Sequence, residues 1–214
     1  MSDTAPNRTS LDVIRHALQP YPDSVCEQES CVAELLQQRR GNTLILTGHP
    51  PVYTLGTSAR EDDILTRKID GEFIDLYPTG RGGEVTYHGP GQLVCYLIVD
   101  ISGEQDLRRH VWRLEEMVIR TLADFGVAAG RSERGIGVWV GERKIAAVGV
   151  RCRKWITYHG IALNINPNMK HFEGIITCGM SDRPVTSLAA LGVNLSRADV
   201  EAAIIRHAEK LFGT

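Results

Sequence analysis

Between Leu107 and Phe125 the apolar side chains Leu107, Val111, Leu114, Val118, Leu122 and Phe125 step by three or four. Gly126 follows, so the pattern predicts an amphipathic helix over 107–125 closed by a glycine cap. A second helix is predicted over 24–40, with Val25, Val32, Leu35 and Leu36 near one face and Gly41 as the stop. Ser196 and Asp199 form an N-cap pair ahead of a last helix whose apolar face holds Val200, Ile204 and Leu211. The run 43–47 (TLILT) predicts a short strand halted by His49-Pro50-Pro51, and the unbroken apolar run 93–99 predicts a strand buried on both faces. Strands are predicted at 137–140 and 144–151, joined by a Gly141-Glu142 type II′ turn, and again over 155–166. Residues 60–78 are charged with weak periodicity and read as a surface excursion. This mixture of hairpins and helices without a βαβα rhythm predicts an α+β domain with a mixed, largely antiparallel sheet.

At 214 residues the chain fits one domain, placed at 21–214 behind an N-terminal segment, 1–20, that is loosely held at its start. A formal charge of -2 argues against bulk nucleic-acid binding. Five irregularly spaced cysteines suggest a reducing compartment. No apolar run reaches the ~18 residues of a membrane span, and the first residues lack a signal-peptide stretch. A cytoplasmic protein is the expectation.

Phosphate loops, a G-x-S-x-G elbow, H-E-x-x-H and C-x-x-C are all missing, so nucleotide cradles of those types and a metal site are not expected. What remains is glycine: positions 80, 82, 83, 89 and 91 crowd one segment ahead of the buried strand. Such a loop brings backbone N–H groups close to a ligand, and equally serves as a tight connection. Cys178 ends an apolar run at Gly179, where it is either a small buried hydrophobe or an exposed thiol. Cys26, Cys31, Cys95 and Cys152 read as structural. Lys144 follows the hairpin turn, either solvated or drawn inward, where desolvation would favour the neutral amine. Thr86-Tyr87-His88-Gly89 recurs as Thr157-Tyr158-His159-Gly160, by coincidence or shared use.

Taken together, these segments resemble the lipoyl(octanoyl) transferases. The resemblance runs from His49-Pro50-Pro51-Val52-Tyr53-Thr54-x-Gly56 through Arg81-Gly82-Gly83-x-x-Thr86-Tyr87-His88-Gly89-Pro90-Gly91-Gln92 and Gly141-Glu142-x-Lys144-Ile145-Ala146. It continues through Tyr158-His159-Gly160-x-Ala162-Leu163-Asn164 to Cys178-Gly179 and Thr186-Ser187-Leu188, in order, over about residues 43–190. Gly48 stands where the family usually has Glu, and Thr177 where it often has Pro.

The resemblance implies the fold of the biotin and lipoate protein ligases, a mixed sheet flanked by helices. It implies transfer of an octanoyl group from octanoyl-acyl carrier protein to a specific lysine of lipoyl domains, through an enzyme thioester and without cofactor or metal. The acceptors it implies are the lipoyl domains of 2-oxoacid dehydrogenases and the glycine cleavage H protein; neither nucleic acid nor membrane is a partner. Cys178 falls on the acyl-thioester nucleophile and Lys144 on the base that activates it. The substrate-binding segments fall on Arg81, Gly82, Gly83, Glu84, Val85, Thr86, Tyr87 and His88, on Ala147, Val148 and Gly149, and on Gly160, Ile161 and Ala162. Glycine-rich backbone can supply oxyanion donors. The rival readings are an ATP-dependent ligase on the same fold, a cysteine thioesterase, and a non-catalytic binder of carrier or lipoyl domains.

Overall fold

The computed structural model describes residues 11–176 and 185–213. Its larger sheet has six strands. Strand β1 (Asp12–Arg15) lies at one edge, parallel to β2 (Thr43–Thr47). Beyond β2 come β8 (Gln92–Asp100), β11 (Ile156–Asn164), β10 (Arg143–Arg153) and β9 (Val138–Val140), all paired antiparallel. The unbroken apolar run of β8 is explained by its place. Leu93, Cys95, Leu97 and Val99 enter one core cluster, while Val94, Tyr96 and Ile98 enter another on the opposite face.

Helix α2 (Leu107–Asp124) and helix α3 (Arg197–Phe212) cover the first face through Leu114, Met117, Val118, Leu122, Val200 and Ile204. Helix α1 (Tyr21–Leu36) covers the second through Cys31 and Val32. The caps follow from the sequence: Asp106 accepts from Arg109 N at 2.9 Å, and Ser196 Oγ accepts from Asp199 N at 3.1 Å. The Gly141-Glu142 turn is present, with positive φ at Gly141 alone, the type II′ signature.

Two expectations are corrected. Helix α1 starts three residues early, because Pro22 sits in the first turn where a missing N–H is harmless, and ends at Leu36 as Gln38 turns left-handed. The start of the N-terminal segment, residues 1–10, lies outside the described residues, and β1 forms from its later part. The stretch 60–78 is more than an excursion: it carries a two-stranded hairpin, β4 (Lys68–Ile69) with β5 (Glu72–Phe73), and the strand β6 (Asp75–Pro78). Strand β6 joins β3 (Val52–Leu55) and β7 (Val85–His88) in a three-stranded sheet with its own core of Tyr53, Ile74, Val85, Tyr87 and Ile175. The glycine-rich segment is therefore a loop, a strand and a turn in succession.

Candidate active site

Strands β7, β8, β10 and β11, residues 81–84 and the first turns of α2 bound a cavity of about 1010 Å³. Each expected substrate-binding residue lines it except Tyr87, which points the other way along β7. The Tyr87 hydroxyl lies 2.8 Å from His171 Nδ1, in the 3₁₀ turn Met169–Gly174. That turn leads towards residues 177–184, which include Cys178 and Thr177 and lie outside the described residues. The flanks of this stretch are tied down. Ile176 N donates to Asp63 O at 2.8 Å, and Thr186 N donates to Lys144 O at 2.9 Å beside a Lys144–Val185 bridge.

Lys144 sits at an irregularity. The register of β10 against β9 slips by one residue between Lys144 and Ala146, a bulge of the kind that re-aims a side chain. Its half-buried side chain reaches the cavity wall, Nζ donates to Ile136 O at 3.0 Å, and the ammonium lies 4.9 Å from the Trp139 ring centroid. Lys144 is thus tethered rather than loose at a hairpin tip.

Arg81 is buried and fixed by the residues around it. Its Nη2 donates to Thr54 O at 2.7 Å and Thr54 Oγ1 at 2.9 Å, and its Nη1 donates to Gly82 O at 3.1 Å. Gly82 N donates to Val150 O at 2.9 Å, so this N–H is engaged and cannot serve an oxyanion. On β11 a Cβ at Gly160 would run into the Cys95 carbonyl of β8, so only glycine lets these strands meet under the cavity.

A hydrogen-bond chain sets the state of His88. Thr186 O can only accept, so Asn164 Nδ2 donates to it at 2.9 Å. Asn164 Oδ1 then accepts from Gln92 Nε2 at 2.9 Å, which leaves Gln92 Oε1 facing His88 Nδ1 at 3.1 Å. His88 therefore carries its proton on Nδ1, and Nε2 is an acceptor. Burial first, then His49 and the nearby Arg81 guanidinium, hold His88 well below the ordinary histidine range. Burial likewise lowers His49 and His159 to about 4, and raises Tyr21 to about 12. Neutral imidazoles thus cluster near one fixed guanidinium. The two Thr-Tyr-His-Gly segments converge here: His88 and His159 line the same cavity, from different strands and with His159 alone at positive φ, +59°.

Gln92, Asn164 and Glu115 enter the site without a role legible in the sequence. Gln92 and Asn164 stood inside the resembling segments without a role. Glu115 was readable as a charge four residues after Val111, on the apolar side of α2. At Gly48 the Arg197 guanidinium fills the nearby space, with Nη1 3.1 Å from where a Cβ would stand. Among the other cysteines, burial pushes the thiols of Cys31, Cys95 and Cys152 up, away from reactivity. Among the described residues no helix is long and apolar enough to cross a membrane, and no group of three His, Cys, Asp or Glu could hold a metal ion.

The lipoyl protein ligase A/B catalytic domain matches residues 20–209. An octanoyltransferase of Magnetococcus marinus is 45% identical over 201 residues, covering 94% of this chain and 92% of the relative. One of Nitrobacter hamburgensis is 43% identical over 205 residues, covering 91% and 83%. Among solved structures, lipoate-protein ligase A bound with ATP superposes with a TM-score of 0.77 at 18% identity, over 95% of this chain and 85% of that one. The biotin protein ligase of Aquifex aeolicus with biotin and ATP gives 0.59 at 15%, over 94% and 70%. The expected ligase-type α+β fold is present.

Proposed function

This chain belongs to the lipoyl protein ligase A/B catalytic-domain family, and from that premise we propose that it is an octanoyltransferase. It takes an octanoyl group from octanoyl-acyl carrier protein and places it on the amine of a specific lysine in a lipoyl domain, in the cytoplasm. Cys178 is the nucleophile and Lys144 the base. With Lys144 in its neutral amine form, Cys178 Sγ attacks the thioester carbonyl as its proton passes to Lys144 Nζ. The carrier sulfur leaves and takes that proton. In the second half, the lipoyl-domain lysine attacks the acyl-enzyme as a neutral amine and its surplus proton passes to Lys144 Nζ. Lys144 returns that proton to Cys178 as it leaves, giving the thiol and a neutral Lys144.

Thioester exchange is nearly isoenergetic and amide formation from a thioester runs downhill, so no nucleotide is needed. A base matters in both halves. A free thiol of pKa ~8.5 is only about 3% thiolate at pH 7, and an amine of pKa ~10.4 is almost wholly protonated. The observation that carries the proposal is Lys144: its ammonium is held at the wall of the cavity, and its own carbonyl anchors the residues that follow the Cys178 stretch. The likeness to an ATP-bound ligase would by itself favour an ATP-dependent reaction, but it shows the fold alone.

Intact-mass spectrometry after incubation with octanoyl-acyl carrier protein and no ATP tests the proposal. One octanoyl adduct is expected, mapped to Cys178, released by hydroxylamine, and moved to a lipoyl domain when that is added. Label on Cys95 or Cys152 rejects the nucleophile, free octanoate in place of modified acceptor supports a thioesterase, and dependence on ATP supports a ligase.

A further inference from the structure

Helix α2 carries a carboxylate on its buried side. Glu115 is 7% exposed and lies at the cavity wall. Burying a charge is costly, and a buried ion pair is seldom worth more than apolar packing. Stability therefore does not explain it, but its contacts do. Glu115 Oε2 accepts from Arg131 Nε at 2.9 Å, and Oε1 accepts from Gly137 N at 2.8 Å. Gly137 N belongs to the same peptide unit as Ile136 O, the carbonyl that accepts from Lys144 Nζ at 3.0 Å. A trans peptide points its C=O and N–H in opposite directions, so one rigid plane spans from the carboxylate on α2 to the ammonium on β10.

We propose that Glu115 is a positioning residue for acyl transfer, fixing the Lys144 ammonium through the Ile136–Gly137 peptide. A carboxylate on the N–H polarises the amide and strengthens its carbonyl as an acceptor. The peptide also has no room to wander. Gly137 has φ +135°, and a Cβ there would stand 2.7 Å from Ala146 O and 3.1 Å from Lys144 Cε. Arg131 steadies the carboxylate, reaching Trp112 O at 2.8 Å and Glu116 Oε2 at 3.0 Å while lying over the Trp112 ring. The inference rests on the reading of Lys144 as the base, and the experiment separates the two.

Single-turnover acylation is measured for Glu115→Gln, Lys144→Met and the double variant, after each is shown to fold. Glu115→Gln should slow acylation about 10–100-fold with the donor KM within about threefold, as misplacement of a reacting group does. The double variant should be no more than about twofold slower than Lys144→Met, because Glu115 acts through Lys144. The acid limb of the rate profile should move to lower pH in Glu115→Gln, since losing a negative charge eases deprotonation of the Lys144 ammonium. The other charges facing this point remain in place: Arg131, Glu116, Arg108, and Arg134 with its partner Glu142. Glu104→Gln, which removes a carboxylate paired with Arg109 and Arg113 and away from this chain of contacts, should stay within about twofold of wild type.

If Glu115→Gln does not fold, replacing Gly137 by glycolic acid turns its N–H into an ester oxygen with Glu115 intact, and should give the same loss. Losses that multiply in the double variant, or a Glu115→Gln and an ester protein that both react at the wild-type rate, overturn the proposal. Lys144→Met at the wild-type rate overturns the reading of Lys144 itself, and this inference with it.

Discussion

At the scale of single residues, Lys144 separates a base from a mere positive charge. Its bulge on β10 aims Nζ at the Ile136 carbonyl beside the Trp139 ring, contacts that a guanidinium could also make. What a guanidinium cannot do is lose its proton in a protein. Lys144→Met should slow both half-reactions by about 10²–10⁴-fold, the usual loss of general acid–base assistance. Lys144→Arg should be nearly as damaging despite keeping the charge. Single-turnover rates of acylation and of transfer to a lipoyl domain check this. An Arg variant that transfers at close to the wild-type rate would leave Lys144 only an electrostatic role beside the thiolate.

At the scale of elements, legibility followed length and periodicity. The stripe from Leu107 to Leu122 spans just over four turns and declares α2, and the short apolar, β-branched runs of β2 and β8 favour buried strands. β1, β3, β6 and β7 are four residues each, too short for alternation to rise above chance. They exist because they pair with neighbours far away in sequence, information no local window carries. The site divides the same way. Arg81, His88 and Lys144 stood out by motif, whereas Glu115, Gln92 and Asn164 matter through contacts with residues 22 to 72 positions away.

Helix α2 also carries His110, buried between α2 and α3 against the Phe212 ring, with both ring nitrogens lacking partners among the described residues. Burial lowers it from 6.5 to about 4. Between those values the unfolded chain binds the proton and the folded one does not, so stability is full above about pH 6.5 and falls as pH drops towards 4. His110→Leu removes that linkage and adds a better helix former. Its melting-temperature advantage should therefore grow between pH 8 and pH 5. Buried His49, His88 and His159 retain the same acid sensitivity in the variant. An advantage equal at both pH values would contradict the burial argument.

At the scale of the whole molecule, a fold shared with ligases seen bound to ATP has its cavity built from two sheets and a helix, at the top of the ~300–1,000 Å³ span of ligand pockets. That is room for an acyl chain together with the arm that delivers it, and the wall residues Val85, Val94, Val148, Ile161 and Ala162 offer the chain an apolar surface. Selectivity should then be graded rather than absolute. Burying one methylene is worth about 0.8 kcal/mol, or roughly fourfold in kcat/KM when the contact persists in the transition state. Octanoyl carries six more methylenes than acetyl, so it should be favoured by about 5 kcal/mol, on the order of a thousandfold or more. Hexanoyl and decanoyl donors should remain measurable substrates, because two methylenes at about 0.8 kcal/mol each amount to only about fifteenfold. Acyl-carrier donors of two to twelve carbons, competed in one reaction and read by the mass of the acyl-enzyme, check this directly. A steady climb to eight carbons followed by a plateau or decline is expected; equal labelling by acetyl and octanoyl would mean that the chain is not bound in this cavity when the carbonyl reacts.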